Sequence, residues 1–317
     1  MKFTVTGCAG FIGSNLVDKL LESGSEVFGI DNFSTGKKYF LSKALKNNKF
    51  IFIEDNLNQI QKYKKFVKES KAVFHLAANA DVRYGLNHPL KDLQENTVNT
   101  CSLLETMREV DVKNIVFAST GSVYGENKQI PTKEDCPFPT QTSLYGASKI
   151  AAESFISAYC EGYSFNAVAC RFVSLMGPRY THGHVFDFVK SLKSNPKVLT
   201  ILGDGTQFKS YFHVEDCLEA LILFANQLNT KILGFLPINL GTEEGITVKD
   251  SAKIICNTLG LDPRFEFTGG KQGWIGDNPI IQLDISRAKS LGWKPKFKIK
   301  ESIKDTTIWI DQYEEII

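Results

Sequence analysis

Residues 3–13, Phe3-Thr4-Val5-Thr6-Gly7-Cys8-Ala9-Gly10-Phe11-Ile12-Gly13, decide the fold. Phe3 to Thr6 is a short β-rich run and Ser14 to Ser23 carries the apolar spacing of a helix, so the glycines fall at a strand-to-helix turn. In that setting the glycines serve three different ends, namely a tight turn, close backbone approach to a pyrophosphate, and packing of helix on strand, with the helix N-terminus facing the anion. A glycine triplet alone is an ordinary turn. Here the next β-rich run, Glu26 to Ile30, leads into Asp31, a carboxylate placed to bond both ribose hydroxyls and to repel a 2′-phosphate. The stretch predicts a dinucleotide site, with NAD favoured over NADP.

Working outward, Phe50 to Ile53, Ala72 to Leu76 and Asn114 to Ala118 are further β-rich runs separated by longer amphipathic segments. Strands spaced by helices imply a parallel sheet wound by right-handed crossovers, and their Val, Ile, Phe and Ala content, with little polar alternation, suits strands covered on both faces. The fold class is α/β, a doubly wound parallel sheet. Long helices are predicted at about Leu90 to Arg108 and Tyr145 to Tyr159, the second rich in small residues (Ala147, Ser148, Ala151, Ala152) that allow close helix approach. Beyond Arg171 the pattern loosens into loops such as Gly177-Pro178 and Gly203-Asp204-Gly205. Val214 to Asn226 reads as a helix and Pro237 to Leu240 as a strand that rejoins the main sheet. We therefore expect a dinucleotide-binding domain of residues 1–170 and about 210–240, and a smaller C-terminal substrate-binding lobe of about 171–209 and 241–317.

The 317 residues, 43% hydrophobic and 23% charged, form an ordinary globular composition able to bury a sizeable core. Lys and Arg total 37 against 35 Asp and Glu, and no long basic block could track a phosphate backbone, so nucleic acid is not the expected partner. The seven cysteines are scattered, without Cys-x-x-Cys or paired histidine spacing, which reads as reduced thiols and no metal. No leader pattern precedes Phe3 and no apolar stretch approaches the length of a membrane span, so a cytoplasmic protein without a membrane partner is expected.

Tyr145 and Lys149 stand at i and i+4, on one face of a helix. Spacing alone decides little, since Tyr39 and Lys43 share it and read as a solvated pair. What separates Tyr145 is the hydroxyl-rich strand end Ala118-Ser119-Thr120-Gly121-Ser122 one crossover upstream, at the sheet edge where catalytic groups gather. A free phenol titrates near 10, so a phenolate base at neutral pH needs a neighbouring cation, which Lys149 and an oxidised nicotinamide supply. A Ser or Thr hydroxyl would orient the alcohol oxygen.

With these residues in hand, the chain resembles the extended short-chain dehydrogenase/reductases, and within them the nucleotide-sugar epimerase/dehydratase family, in the pattern of its UDP-glucose 4-epimerase branch. The residues that carry the resemblance span nearly the whole chain: Gly7/Gly10/Gly13, Asp31 to Gly36, Asp55, His75 to Ala78, Asn96, Thr120 to Gly125, Tyr145/Lys149, Arg171-Phe172, Gly177-Pro178 and Gly203 to Asp216. It implies a Rossmann fold and catalytic roles for Thr120, Tyr145 and Lys149. The cofactor positions that it implies are Gly7, Gly10, Phe11, Ile12, Gly13, Asp31, Asn32, Ser34, Thr35, Gly36, Asp55, Asn56, Leu76, Ala77, Ala78, Asn96 and Phe172, with Tyr145 and Lys149 touching the nicotinamide ribose. Substrate positions follow as Asn79, Ser122, Ser174, Arg179, His184, Val185, Lys209, Trp274 and Asp277. The implied reaction is transient oxidation of a nucleotide sugar at C4 to a bound 4-keto sugar, which is reduced on its other face while NAD stays bound. The alternative is a 4-dehydrogenase that releases the keto sugar and NADH; a dinucleotide-sensing scaffold would have no need of Thr120, Tyr145 and Lys149 together. The family's homodimer, with a four-helix seam from the two long helices, is expected as well.

Departures from the family pattern narrow the reading. In the family's 4,6-dehydratases an Asp-Glu pair follows the catalytic Thr, whereas Gly121-Ser122 stands here, which argues for an epimerase. Ser174 replaces a substrate-contacting Asn, and Lys209 and Trp274 replace arginines that grip the diphosphate, losing the bidentate fork. Gly273 to Asp277 reads either as a surface turn or as a nucleotide-contacting loop, with Asp277 the better contact. Arg179 reads as a phosphate contact or a solvated loop residue, His182 and His184 lack a third ligand for a metal, and His75 reads as a satisfied strand-end histidine. Cys8 is a small side chain within the glycine loop, and its alkylation would block NAD if the thiol were exposed.

Overall fold

The structure, a computed structural model, describes residues 1–81, 85, 87–125, 129–137, 140–270 and 280–313. Seven strands form its main sheet: β1 (Lys2–Thr6), β2 (Glu26–Asp31), β3 (Phe50–Glu54), β4 (Ala72–His75), β5 (Asn114–Thr120), β6 (Asn166–Phe172) and β7 (Phe235–Leu240). Their order is β7-β6-β5-β4-β1-β2-β3, and β1 pairs in parallel with both β2 and β4, as do β2 with β3 and β4 with β5. The order reverses between β1 and β4. That switch point opens a crevice beyond the carboxyl ends of the strands, the place where doubly wound sheets bind ligands. The seven strands include the late run predicted to rejoin the sheet, which sits at its edge as β7.

The helices that belong with the sheet include α1 (Phe11–Glu22), α2 (Pro89–Asp92), α3 (Asn99–Glu109), α4 (Leu144–Tyr163) and α5 (Val214–Gln227). Leu103, Leu104 and Met107 of α3 and Ala152 and Ile156 of α4 close on Val73, Ile115, Phe117, Ala167 and Ala169 of the strands. Burying each large apolar side chain contributes about 1.5–3 kcal/mol. β4 is buried along its whole length, as an apolar run without alternation requires.

One predicted helix differs. In place of an unbroken helix at about Leu90 to Arg108, α2 and α3 are joined by a π-helical turn, Leu93–Val98. The wider turn faces Asn96 and Thr97 inward, where they bond Asn79 and Ser148. An insertion of this kind slips the 3.6-residue phase while leaving the apolar pattern nearly intact.

The chain divides into two compact units, the first Met1–Gly125, Phe138–Arg171 and Leu218–Ile238, the second Glu126–Pro137, Phe172–Cys217 and Asn239–Ile317. In the second unit the helices His184–Ser194, Val248–Leu259 and Ile299–Gln312 pack on one another. Small sheets accompany them: Tyr211–His213 lies parallel to Ser174–Met176, and Val198–Ile201 lies parallel to Arg264–Phe267. Asp216 ties this unit together, its carboxylate accepting from the backbone N–H groups of Lys296 and Phe297 while its carbonyl accepts from the Trp293 indole.

Candidate active site

The glycine loop is built by what it excludes. Gly7 adopts φ +68°, and a Cβ there would lie 2.7 Å from the Ala77 nitrogen across the switch point; a Cβ on Gly13 would lie 2.1 Å from the Gly7 carbonyl. Both positions require glycine, on conformational and on steric grounds. The loop is pinned from behind, Gly7 N–H donating to Ile30 O at 2.9 Å and Ala9 N–H to Asp31 Oδ2 at 2.9 Å. No side chain caps the N-terminus of α1, so its first N–H groups face the crevice as anion donors. The Cys8 thiol is fully buried toward Gly29 of β2 and is therefore shielded from an alkylating reagent.

A cavity of about 340 Å³ lies along this crevice. Of the expected cofactor positions it is lined by Gly7, Gly10, Asp31, Asn32, Ser34, Thr35, Asp55, Leu76, Ala77 and Ala78; Asn79, expected on the substrate, also lines it. Ile30, Leu57, Asp81, Lys91 and Glu95 line it too, and the sequence reading did not single them out. Asp31 Oδ1 accepts from Phe33 N–H at 2.8 Å, and Phe33 holds φ +55°, a strained conformation stabilised by that turn. Burial raises the Asp31 carboxyl above its ordinary value, against the backbone N–H bonds that favour its anion. Asp55 is held below the ordinary range by the Tyr63 hydroxyl, which donates to it, and by Asn56 N–H. Uncapped helix N–H groups, a glycine-lined cradle and two carboxylates at one end together fit an adenine dinucleotide.

The remaining cofactor positions fall outside this lining. Phe11 and Ile12 begin α1 beside Gly13, and Gly36 packs on Ala9 and Asp31. Asn56 caps the 3-10 turn that follows β3. Phe172 belongs to the second unit and packs on Phe212.

His75, at the end of β4, is a fixed strut. Thr6 Oγ1 accepts from the N–H groups of Leu76 and Ala77 and so donates to His75 Nδ1 at 2.8 Å; Thr100 Oγ1 donates to Asn96 O and so accepts from Nε2 at 2.8 Å. The ring is the neutral Nε2–H tautomer. Burial pulls its pKa down to about 3, with Lys149 adding to the effect.

Tyr145 and Lys149 lie in the first turns of α4, which Ser143 caps by accepting from Gly146 N–H at 3.0 Å. Lys149 is 1% exposed, donates to Ala118 O at 2.9 Å and sits 4.7 Å from the Phe117 ring centroid. Burial pulls its ammonium down to about 7, against the raising charges of Glu153 and Asp92. Withdrawal from solvent pushes the Tyr145 phenol up to about 12; the Thr120 hydroxyl, hydrogen-bonded to it, opposes that rise and the Asp92 charge adds to it. Thr120 ends β5, and its hydroxyl also reaches Ser122 Oγ at 3.2 Å. Having one proton, it can favour the phenolate only when it turns toward Tyr145. The three residues expected to react are thus brought together at one edge of the sheet, with Ser122 beside them.

Behind them lies a buried ion pair that the sequence reading did not single out. Arg171 donates to both Glu153 oxygens at 2.6–3.2 Å and to the Tyr124 hydroxyl at 2.8 Å, and Ser119 Oγ donates to Glu153. The available signal was the third step of a helix face, Tyr145, Lys149, Glu153.

The other expected substrate residues lie in the second unit. Ser174 is exposed at the start of its strand, and Lys209 pairs in register with Ile246. Arg179 holds φ +73°, the kind of strain that clusters at binding sites. His184 shares a hydrogen bond with Ser251 at 2.7 Å, and burial pulls its pKa down to about 3. The Val185 side chain is fully buried in its helix, which leaves only its backbone to a ligand. Trp274 and Asp277 lie outside the described residues. Among the described residues no three metal-ligating side chains converge, and no helix is long and apolar enough to cross a membrane.

A doubly wound sheet with this glycine loop, and a Thr, Tyr and Lys gathered at the end of β5, defines a dinucleotide-dependent enzyme of the short-chain dehydrogenase/reductase class. The model of the NAD dependent epimerase/dehydratase family matches residues 3–239. The chain is 31% identical to a UDP-glucose 4-epimerase of Mycolicibacterium smegmatis, with 96% of this chain and 97% of that protein covered. Among solved structures, a UDP-galactose 4-epimerase superposes with TM-score 0.87 at 34% identity, and a UDP-glucuronic acid 4-epimerase from Bacillus cereus, in complex with UDP-glucuronic acid and NAD, with TM-score 0.89 at 28% identity. Each covers 98% of this chain and is itself covered to 99%. The chain belongs to the NAD dependent epimerase/dehydratase family, and its cofactor is NAD.

Proposed function

We propose that the chain is a nucleotide-sugar 4-epimerase, acting on a UDP-hexose and keeping its NAD bound through the cycle. The observation that carries this reading is the convergence of Thr120, Tyr145 and Lys149 at the end of β5 with Gly121-Ser122, rather than an acid pair, in the next two positions. No Asp-Glu pair thereby follows Thr120 to expel water from C5 and C6. NAD, when bound, accepts hydride from C4 and returns it. The chain's own residues do the rest: Tyr145 takes the proton of the 4-hydroxyl and gives it back, Thr120 orients that oxygen, and Lys149 stabilises the phenolate. The relatives act on UDP-glucose, UDP-galactose or UDP-glucuronic acid by name, which supports uridine as the nucleotide here.

We assign the sugar and diphosphate to the second unit through Ser174, Arg179, His184, Lys209 and the Trp274 to Asp277 segment. Pairing of two copies is supported by apolar side chains left exposed on neighbouring helical segments, Leu90, Leu93 and Val98 with Leu144 and Phe155, which fit a four-helix seam of a homodimer. Seven free cysteines support a reducing, cytoplasmic setting. The test is incubation of the purified protein, without added cofactor, with UDP-, GDP-, CDP- and dTDP-sugars including UDP-glucose, UDP-N-acetylglucosamine and UDP-glucuronate. A C4-epimer mixture from a UDP-hexose is expected. Reaction only with excess NAD, with NADH accumulating, would overturn the proposal.

A further inference from the structure

Asp92 ends α2, next to the π-turn, and is 1% exposed. An ionised carboxylate so placed is costly unless it is fully paired, and burial raises the Asp92 pKa, opposed by the Asn79 hydrogen bond and the Lys149 charge, which favour the anion. Oδ1 accepts from Asn79 Nδ2 at 2.7 Å, whereas Oδ2 is buried without a hydrogen-bond partner among the described residues, and Gly85 approaches so closely that a Cβ there would lie 2.0 Å from it. Asn79 is itself locked: its N–H donates to Asn96 Oδ1 at 2.8 Å, and Asn96 Nδ2 returns to Asn79 O at 3.2 Å. The same Asn96 amide donates to Ser148 Oγ at 2.9 Å, and Ser148 donates to Tyr145 O at 2.8 Å. Hydrogen bonds thus run unbroken from the carboxylate to the turn of α4 that carries Tyr145 and Lys149, and α2 packs on α4.

We propose that Asp92 is a positioning residue for the reaction: its buried carboxylate, anchored through Asn79 and Asn96 to the first turns of α4, is the fixed anion that keeps Lys149 an ammonium beside the Tyr145 phenol. The inference rests on Tyr145 and Lys149 being the reacting pair. Glu153 gives the larger raising charge on Lys149, but it shares that charge with Arg171 at 2.6 Å, whereas Asp92 does not. The other groups around the pair give no such anion: His75 is neutral, Lys91 on α2 is paired with Glu95 at 2.8 Å, and Asp81 acts on Asp92 as a like charge. Among the described residues Asp92 is therefore the carboxylate beside Lys149 without a cationic hydrogen-bond partner of its own. In support, its charge acts on both members of the pair, raising the Lys149 and the Tyr145 pKa.

The test is the pH–rate profile of Asp92→Asn with the UDP-hexose turned over fastest by the native enzyme. Asparagine keeps the size of the side chain and can still accept from Asn79, but removes the charge. Loss of a negative charge favours the deprotonated form of each neighbour, so both limbs of the profile move to lower pH, by about half a unit or more. Asp92→Ser, smaller and also neutral, moves them the same way. Limbs that stay put in either neutral variant, whatever happens to stability or bound NAD, overturn the proposal. Tyr145→Phe separates it from the reading on which it rests. Full activity in that variant sinks the reacting pair itself, whereas an inactive Tyr145→Phe with an unshifted Asp92→Asn sinks only the role of Asp92.

Discussion

Replacing Arg171 by methionine keeps an unbranched apolar stem but strips Glu153 of the partner that makes its burial tolerable. The side chains of the pair are 7% and 3% exposed, and the guanidinium's contacts include three to Glu153 and one to the Tyr124 hydroxyl, at 2.6–3.2 Å. After Arg171→Met the carboxylate retains the Ser119 hydroxyl and the nearby Lys149 charge, and no guanidinium. Breaking one side of a buried pair costs about 3–5 kcal/mol. At about 2–4 °C per kcal/mol for a unit of this size, thermal unfolding moves down by roughly 10 °C. Removing both charges, in Glu153→Leu with Arg171→Met, fills about the same volume with apolar atoms and leaves neutral hydroxyls, Ser119 among them, to rearrange, at about 1–3 kcal/mol each when unsatisfied. The double variant is therefore expected to unfold above the Arg171→Met single. Circular dichroism melts at pH 7, with bound NAD held constant, measure this. Two single losses that simply add in the double variant would refute the argument, because they would show that no uncompensated charge is left behind by either change.

Tyr145→Phe is expected to lower kcat by about 10²–10⁴-fold, the usual contribution of a positioned acid or base, with bound NAD measured by acid release unchanged; retained turnover would remove the phenol from the chemistry. Gly13→Ala sets a methyl 2.1 Å from the Gly7 carbonyl and 2.9 Å from Cys8 Cα, both backbone, so α1 must retreat by about 1 Å from the loop. NAD content after purification falls at least tenfold, and full occupancy would mean that the loop tolerates a side chain. His75 and His184 are each held down to about 3, whereas an unfolded histidine titrates near 6.5. The unfolded chain takes up protons that the folded chain refuses, so this stabilisation is complete above about pH 6.5 and declines by about 1.4 kcal/mol per unit and per histidine as pH falls toward 3. His184→Gln removes one proton from that slope between pH 6.5 and 5 in urea melts, and an unchanged slope would show that the ring already charges in the folded state.

The parts of the site that can be read in the sequence are those whose cause is local. Gly7 and Gly13 follow from backbone that admits no Cβ, Asp31 from its place at the end of β2, and Tyr145 with Lys149 from the pitch of one helix. The strand ends moved by a residue or two, and β7 was recognisable because an apolar run after a helix has few other uses in a doubly wound fold. The pieces that escaped have partners far along the chain. Glu153 is fixed by Arg171, 18 residues away, and by Ser119, 34 residues away, and neither separation has a period to betray it. Asp92 escaped for a second reason. The π-turn at Leu93–Val98 lies between α2 and α3, so a helical wheel drawn through about Leu90 to Arg108 misassigns the inward face on one side of it. Asp92 and Asn96, at i and i+4, share a face in any case, and both bond Asn79; what the wider turn changes is the phase of α3 relative to α2. The turn that shifts this phase is thus what hides Asp92 from a periodic reading, while Asp92 and Asn96 still reach the same loop residue, Asn79, beside the helix that carries Tyr145 and Lys149.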